Sequence, residues 1–144
     1  MTREEALDSV KDNVENENLV KHMLAAEAIM RALARELGAN EAMARAILCH
    51  NPAHGIPMET RLDKTLFCAD PLTGLIIAAA LVRPDKKLAG LEAGSMMKRF
   101  KEKGFAAGAD RKQISLCSQI GLDLDEFIEL GLKAMQGIAD DLGL

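Results

Sequence analysis

Residues 62 to 82 read Leu62-Asp63-Lys64-Thr65-Leu66-Phe67-Cys68-Ala69-Asp70-Pro71-Leu72-Thr73-Gly74-Leu75-Ile76-Ile77-Ala78-Ala79-Ala80-Leu81-Val82. Leucine and alanine dominate this stretch, and both favour helix. Its longest apolar run, Leu72 to Val82, is too short to span a bilayer and has no flanking anchors, so it reads as a buried helix. The stretch predicts a helix beginning near Leu62 and reaching Val82, where Arg83-Pro84-Asp85 stops it. Pro71 carries no backbone N–H and crowds the preceding turn, so it is expected to kink that helix or divide it in two.

The flanks repeat the helical pattern. On the N-terminal side, Thr2 with Glu5 makes a capping box before Ala6, Leu7, Val10 and Val14. Asn16 to Asn18 can cap a longer helix with an apolar stripe of Leu19, Met23, Met30, Leu33 and Leu37, ended by Gly38. Glu41 to His50 is a further helical stretch, stopped by Asn51-Pro52 and followed by a loop with Gly55 and Pro57. On the C-terminal side, Ser95 to Lys103 predicts a short basic helix. Asp110 with Gln113, and Asp123 with Glu126, each open a helix as a capping box. The expected fold is all-α: one compact domain over residues 1–144, a bundle of about seven helices with no repeat.

Composition agrees with this and narrows the function. The chain has 144 residues, 49% hydrophobic and 28% charged, with no Trp and no Tyr, which disfavours both disorder and sheet. A net charge of -4 offers no global attraction for nucleic acid or an anionic membrane. Cys49, Cys68 and Cys117 are odd in number and widely spaced, so they read as core thiols of a reducing compartment. The start Met1-Thr2-Arg3-Glu4-Glu5 lacks the apolar core of a signal peptide, and a cytoplasmic protein is expected.

Three residues carry candidate chemistry. His22 sits among Val20, Met23 and Leu24 early on the long helix, placed either as a metal ligand or as a satisfied core or surface histidine. His50 ends its helical stretch, where an imidazolium also suits the negative helix terminus. Asp70 stands between Phe67-Cys68-Ala69 and Pro71-Leu72, where an acid needs a partner, a ligand or a proton. It reads equally as a helix-start cap before Pro71.

Longer strings are more specific than these single residues. They are Asn16-Glu17-Asn18-Leu19-Val20-Lys21-His22-Met23-Leu24-Ala25-Ala26-Glu27, Ala46-Ile47-Leu48-Cys49-His50-Asn51, Leu62 to Asp70, Leu72-Thr73-Gly74-Leu75-Ile76 on to Val82-Arg83-Pro84-Asp85-Lys86-Lys87, and Lys101 to Gly108. Together they resemble the small stand-alone bacterial members of the HD-domain metal-dependent phosphohydrolase superfamily over nearly the whole chain. In that family a histidine, an adjacent His-Asp pair and a distant aspartate hold a divalent metal. The resemblance implies His22 as the first ligand, Asp70 as the last and His50 at an outer or second metal position. It also implies Mn, Fe, Zn, Ni or Mg as the cofactor of a complete site, and a phosphomonoester or nucleotide-like substrate. Imidazole and carboxylate together hold such an ion while leaving positions for water and phosphate.

The sequence departs from the family at one place. No adjacent His-Asp pair occurs in the 144 residues. That pair, a further histidine and the helices carrying them would fall between Gly38 and Glu41, which only Ala39-Asn40 joins. Catalytic sites mostly keep three protein ligands, so His22 and Asp70 alone leave the site incomplete, and nothing in the spacing of His54 or Cys49 makes either a substitute. Two explanations stand open: a degenerate, non-catalytic relative, or a chain whose internal segment is missing from this sequence. A real deletion would also uncover apolar surface on the long helix, and a homo-oligomer is then expected. The alternative of another class is a non-catalytic helical module that oligomerises or binds a partner.

Charge adds one local feature. From Arg83 to Lys112 basic residues outnumber acidic ones, with Lys98, Arg99, Lys101 and Lys103 on or near one short helix. This is either a solvated helix face or an anion-attracting rim in which Lys98, Arg99 and Lys101 meet a small phosphorylated molecule. Nucleic acid is not expected, because no aromatic residues are interleaved with the charges.

Overall fold

A computed structural model describes residues 17–37 and 57–144, together with Glu4, Leu7, Asp8, Lys11, Asp12, Ala46 and His50; between 17 and 37 the side chains of Leu19, Glu27, Met30, Arg31 and residues 33–37 are left aside. The Thr2–Glu5 box, the Gly38 stop, the Ala39-Asn40 junction, Cys49, His54 and the Asn51-Pro52 break lie outside the described residues.

The chain is all-α. Among the described residues six α-helices and one 3-10 helix follow one another, with no strand. They are α1 (Glu17–Leu37), α2 (Arg61–Leu81), α3 (Ala93–Lys101), α4 (Arg111–Ser115), the 3-10 helix Leu116–Ile120, α5 (Leu124–Gln136) and α6 (Ala139–Leu142). Glu4, Leu7, Asp8, Lys11 and Asp12 are also helical, where the first helix was expected.

The helix starts follow from capping chemistry. Thr60 caps α2 by accepting the Asp63 N–H at 3.1 Å, while Asp63 accepts the Thr60 N–H at 2.9 Å. The same reciprocal pairing of orphan donors joins Glu92 with Ser95 at α3 and Asp123 with Glu126 at α5. Asp110 caps α4 with one carboxylate oxygen that accepts from the Lys112 and Gln113 N–H groups. The basic helix therefore begins at Ala93, two residues ahead of the Ser95 start read from the sequence.

Pro71 does not divide α2, which runs unbroken through it for 21 residues. Tertiary packing outweighs the local penalty here. Cys68, Ala69, Leu72, Leu75 and Ile76 on both sides of the proline are fully buried, so the helix is held by what surrounds it. By length and composition alone α2 could cross a bilayer, a point the eleven-residue run did not reveal, because the helix extends back to Arg61. Most of that apolar window is nonetheless covered by the rest of the chain.

α2 is the axis of the core. It packs against α1, α3, α4, the 3-10 helix and α5, and α1 in turn packs on α5 and α6. Ala25 and Ile29 of α1 meet Leu72, Leu75 and Ile76 of α2 and Phe127, Ile128, Leu132 and Met135 of α5 in one buried cluster. Gly131 sets the spacing of α5. A Cβ there would lie 2.7 Å from Leu72 Cδ2, inside contact distance, so any larger residue requires the buried Leu72 side chain to shift. A second small cluster joins Ala46 to Leu62 and Leu66, placing Ala46 over the N-terminal half of α2.

Candidate functional site

The chemistry-bearing residues gather where α1 crosses the middle of α2. Along α1, His22 precedes Ala25 and Ile29 by one and two turns, so it shares their inward face. Along α2, Leu62, Leu66, Asp70 and Thr73 recur at helical spacing, so Asp70 lies on the face that Leu66 buries. The two faces meet. His22 Nε2 stands 3.1 Å from Asp70 Oδ1 across 48 residues of sequence.

Thr73 completes the cluster. Its Oγ1 donates to the Asp70 carbonyl oxygen at 2.8 Å and lies 3.0 Å from His22 Nδ1. A hydroxyl has one proton, so while that proton is on the Asp70 carbonyl, Nδ1–H of His22 must be the donor to Oγ1. In that arrangement Nε2–H donates to the carboxylate and the ring is an imidazolium; with the hydroxyl proton turned to Nδ1 instead, a neutral ring keeps the same Nε2–H bond to Asp70.

Electrostatics run the same way. The hydrogen bond that His22 donates to Asp70 raises the His22 pKa, burial lowers it and the carboxylate charge raises it further, with a net upward shift from 6.5. Asp70 is held below its usual 3.8, first by the His22 hydrogen bond, against burial, and then by the His22 and His50 charges. His50 is therefore within electrostatic reach of Asp70. Its N–H bonds to the Ala46 carbonyl at 3.0 Å, an i to i−4 bond that matches its expected place at a helix end.

Of the three residues singled out as metal ligands, His22 and Asp70 are in direct contact, and His50 bears on Asp70 only through its charge. Asp70 is not a helix-start cap: it lies deep inside α2, whose cap is Thr60, and its side chain is turned to His22. Among the described residues no group of three or more His, Cys, Asp or Glu side chains is arranged to hold a metal ion. His22 and Asp70 supply one nitrogen and one carboxylate, a donor pair that suits a borderline divalent ion. Thr73 has only a faint signal in the sequence, a hydroxyl three residues after Asp70 inside an apolar run.

The basic residues are differently employed. Arg99 is paired with Glu102 at 2.8 Å and stacks over the Phe105 ring at 4.9 Å, so its charge is already met locally. Lys98 and Lys101 are exposed. Among the described residues no hydrogen bond or ion pair joins Lys98, Arg99 or Lys101 to His22 or Asp70. Arg111 holds the loop behind them, donating to the carbonyls of Phe100, Phe105, Ala106 and Ala109.

Cys68 and Cys117 are buried free thiols, as their reading as core residues required. Burial pushes the Cys68 thiol up to about 12. No family model, curated protein or solved structure matches this chain.

Proposed function

We propose that the chain carries part of the metal centre of an HD-type phosphohydrolase, and that in these 144 residues it is a degenerate relative with little or no turnover. The observation that carries this reading is the His22–Asp70 contact at 3.1 Å. Residues that the family resemblance names as ligands are distant in sequence and adjacent in space.

In this reading His22 Nε2 and the Asp70 carboxylate hold a divalent ion such as manganese, iron, zinc, nickel or magnesium. When bound, that ion acidifies a water and offsets phosphate charge. To receive it, His22 gives up its Nε2 proton and Asp70 releases the ring, so the closed ion pair and the metal compete. The substrate class is a small phosphomonoester or nucleotide-like phosphate, with Lys98 and Lys101 as the free cations of an anion rim and Arg99 largely committed to Glu102. Nucleic acid and membrane are not partners in this reading, and the protein is placed in the cytoplasm.

Two donors bind a transition ion weakly. Elemental analysis of the purified chain should find well under one tightly held ion per chain, and p-nitrophenyl phosphate with added Mn²⁺ should be hydrolysed no faster than by a His22→Gln variant. Stoichiometric metal lost on that substitution, together with hydrolysis, would overturn the degenerate half of the reading. Failure of Mn²⁺ to bind at any concentration would overturn the metal centre itself.

A second reading rests on a separate observation. Leu81 and Val82 are 50% and 57% exposed at the end of α2, and Met23 is 42% exposed beside His22. These favour a non-catalytic helical module that associates with itself. Sedimentation of a Leu81→Lys, Val82→Lys variant against the parent chain separates the two readings.

A further inference from the structure

Thr73 is completely buried, yet its hydroxyl is used twice at the candidate site. Oγ1 is 2.8 Å from the Asp70 carbonyl oxygen and 3.0 Å from His22 Nδ1. The first contact is a bond back along α2 to residue i−3, which fixes the hydroxyl relative to the backbone of Asp70. The second extends that fixed point to the imidazole. An imidazole ring turned end for end would present a carbon to Oγ1 and leave a buried hydroxyl with one partner fewer.

From this geometry we propose that Thr73 is a positioning residue for His22. It engages Nδ1 so that Nε2, and not the ring carbon Cε1, is directed toward Asp70 and toward any ion the two share. The proposal rests on the metal reading above only for its last clause. Asp70 is thereby joined to His22 twice, through its own carboxylate and through the hydroxyl hung on its backbone carbonyl. Metal-ligating histidines are generally oriented in this way by an acceptor on the other ring nitrogen. A hydroxyl is unusual in the role because it can accept from Nδ1–H or donate to bare Nδ1, and so it serves the ring in either proton state.

The test uses Thr73→Val, which keeps the branched shape and removes the hydroxyl, and Thr73→Ser, which keeps the hydroxyl. Ring ¹⁵N spectra of the metal-free protein, with His22 assigned by loss of its signals in His22→Gln, report the ring directly. With the ring protonated, the His22 Nδ1–H should exchange slowly in the parent and in Thr73→Ser, and quickly in Thr73→Val. Calorimetric titration with Mn²⁺ should show binding weakened about 10-fold or more in Thr73→Val and little changed in Thr73→Ser. A parent spectrum with a freely exchanging Nδ1–H overturns the proposal without any variant, and so does a folded Thr73→Val with the parent's ring signals. Normal ring signals in a parent that takes up no Mn²⁺ would instead leave Thr73 orienting His22 and overturn the metal reading. If the ring changes in Thr73→Val but Mn²⁺ binding does not, the directing role toward the ion is wrong.

Discussion

His22 Nε2 and Asp70 Oδ1 lie 3.1 Å apart with side chains 35% and 38% exposed, an ion pair open to water. That exposure limits its energy. Solvent-screened pairs contribute about 0–1 kcal/mol, so the pair matters more for where it places a nitrogen and an oxygen than for holding α1 on α2.

The pair nonetheless gives stability a defined pH dependence. His22 is raised above 6.5 in the fold, so its contribution is complete below 6.5 and fades as pH rises through the folded value. Asp70 is lowered below 3.8, so its contribution is complete above 3.8 and fades as pH falls through the folded value. The melting temperature of the parent minus that of Asp70→Asn should therefore be largest between these limits and shrink on both sides. A difference that grows toward alkaline pH would contradict the assignment of the proton to His22.

Thiol chemistry supplies an independent check on the core. The thiolate is the reactive form, and burial raises the pKa of both Cys68 and Cys117, the former to about 12. In a Cys49→Ser background, neither remaining cysteine should react quickly with an aromatic disulfide reagent at pH 8 until denaturant is added. Rapid labelling of the native chain would mean that the Cys68 side of α2 opens readily.

Two glycines in helices should respond in opposite directions. Gly131→Ala drives a methyl to 2.7 Å from Leu72 Cδ2, and overpacking of this kind costs about 1–3 kcal/mol. Gly74 lies exposed inside α2 with open space around its Cα, so Gly74→Ala should stabilise by roughly 0.5–1 kcal/mol through helix propensity. Urea unfolding of both variants measures this. Equal and small effects would show that the α2–α5 contact yields easily.

The contrast between these residues shows what was legible beforehand. Helix starts at Asp110 and Asp123 were readable because a cap and its first-turn partners lie within a few residues of each other. Thr60 with Asp63 is the same motif but is obscured in the sequence, because Asp63 stands at the head of an apolar run, and the structure buries it completely. At Pro71 local sterics forecast a kink or a division, and of these the division is overridden by packing on both sides. His22 and Asp70 were marked by resemblance, not by spacing; no periodicity relates residues 48 apart on different helices. Thr73 has no pattern of its own, and its role depends on a tertiary crossing. Arg99 looked like a free cation until its partners Glu102 and Phe105 were placed.

Self-association is the remaining expectation. Leu81 and Val82 are adjacent and half-exposed or more, at 50% and 57%, and Met23 at 42% adds a third apolar side chain on α1. Apolar area removed from water yields about 25 cal/mol per square ångström. Association itself costs roughly 4–15 kcal/mol, so these three side chains supply only part of what a dimer needs and further surface must join them. The sequence names where to look. In the proposed HD-type reading, helices would be missing where only Ala39-Asn40 separates Gly38 from Glu41, and a deletion there would favour exchange of elements between chains. Light scattering at micromolar concentration should report a dimer or larger. Lengthening the junction with a flexible Gly-Ser insert should shift the chain toward monomer if exchange is the cause, whereas Leu81→Lys with Val82→Lys should do so if the end of α2 is the interface. A well-folded monomer of the parent chain would contradict both routes.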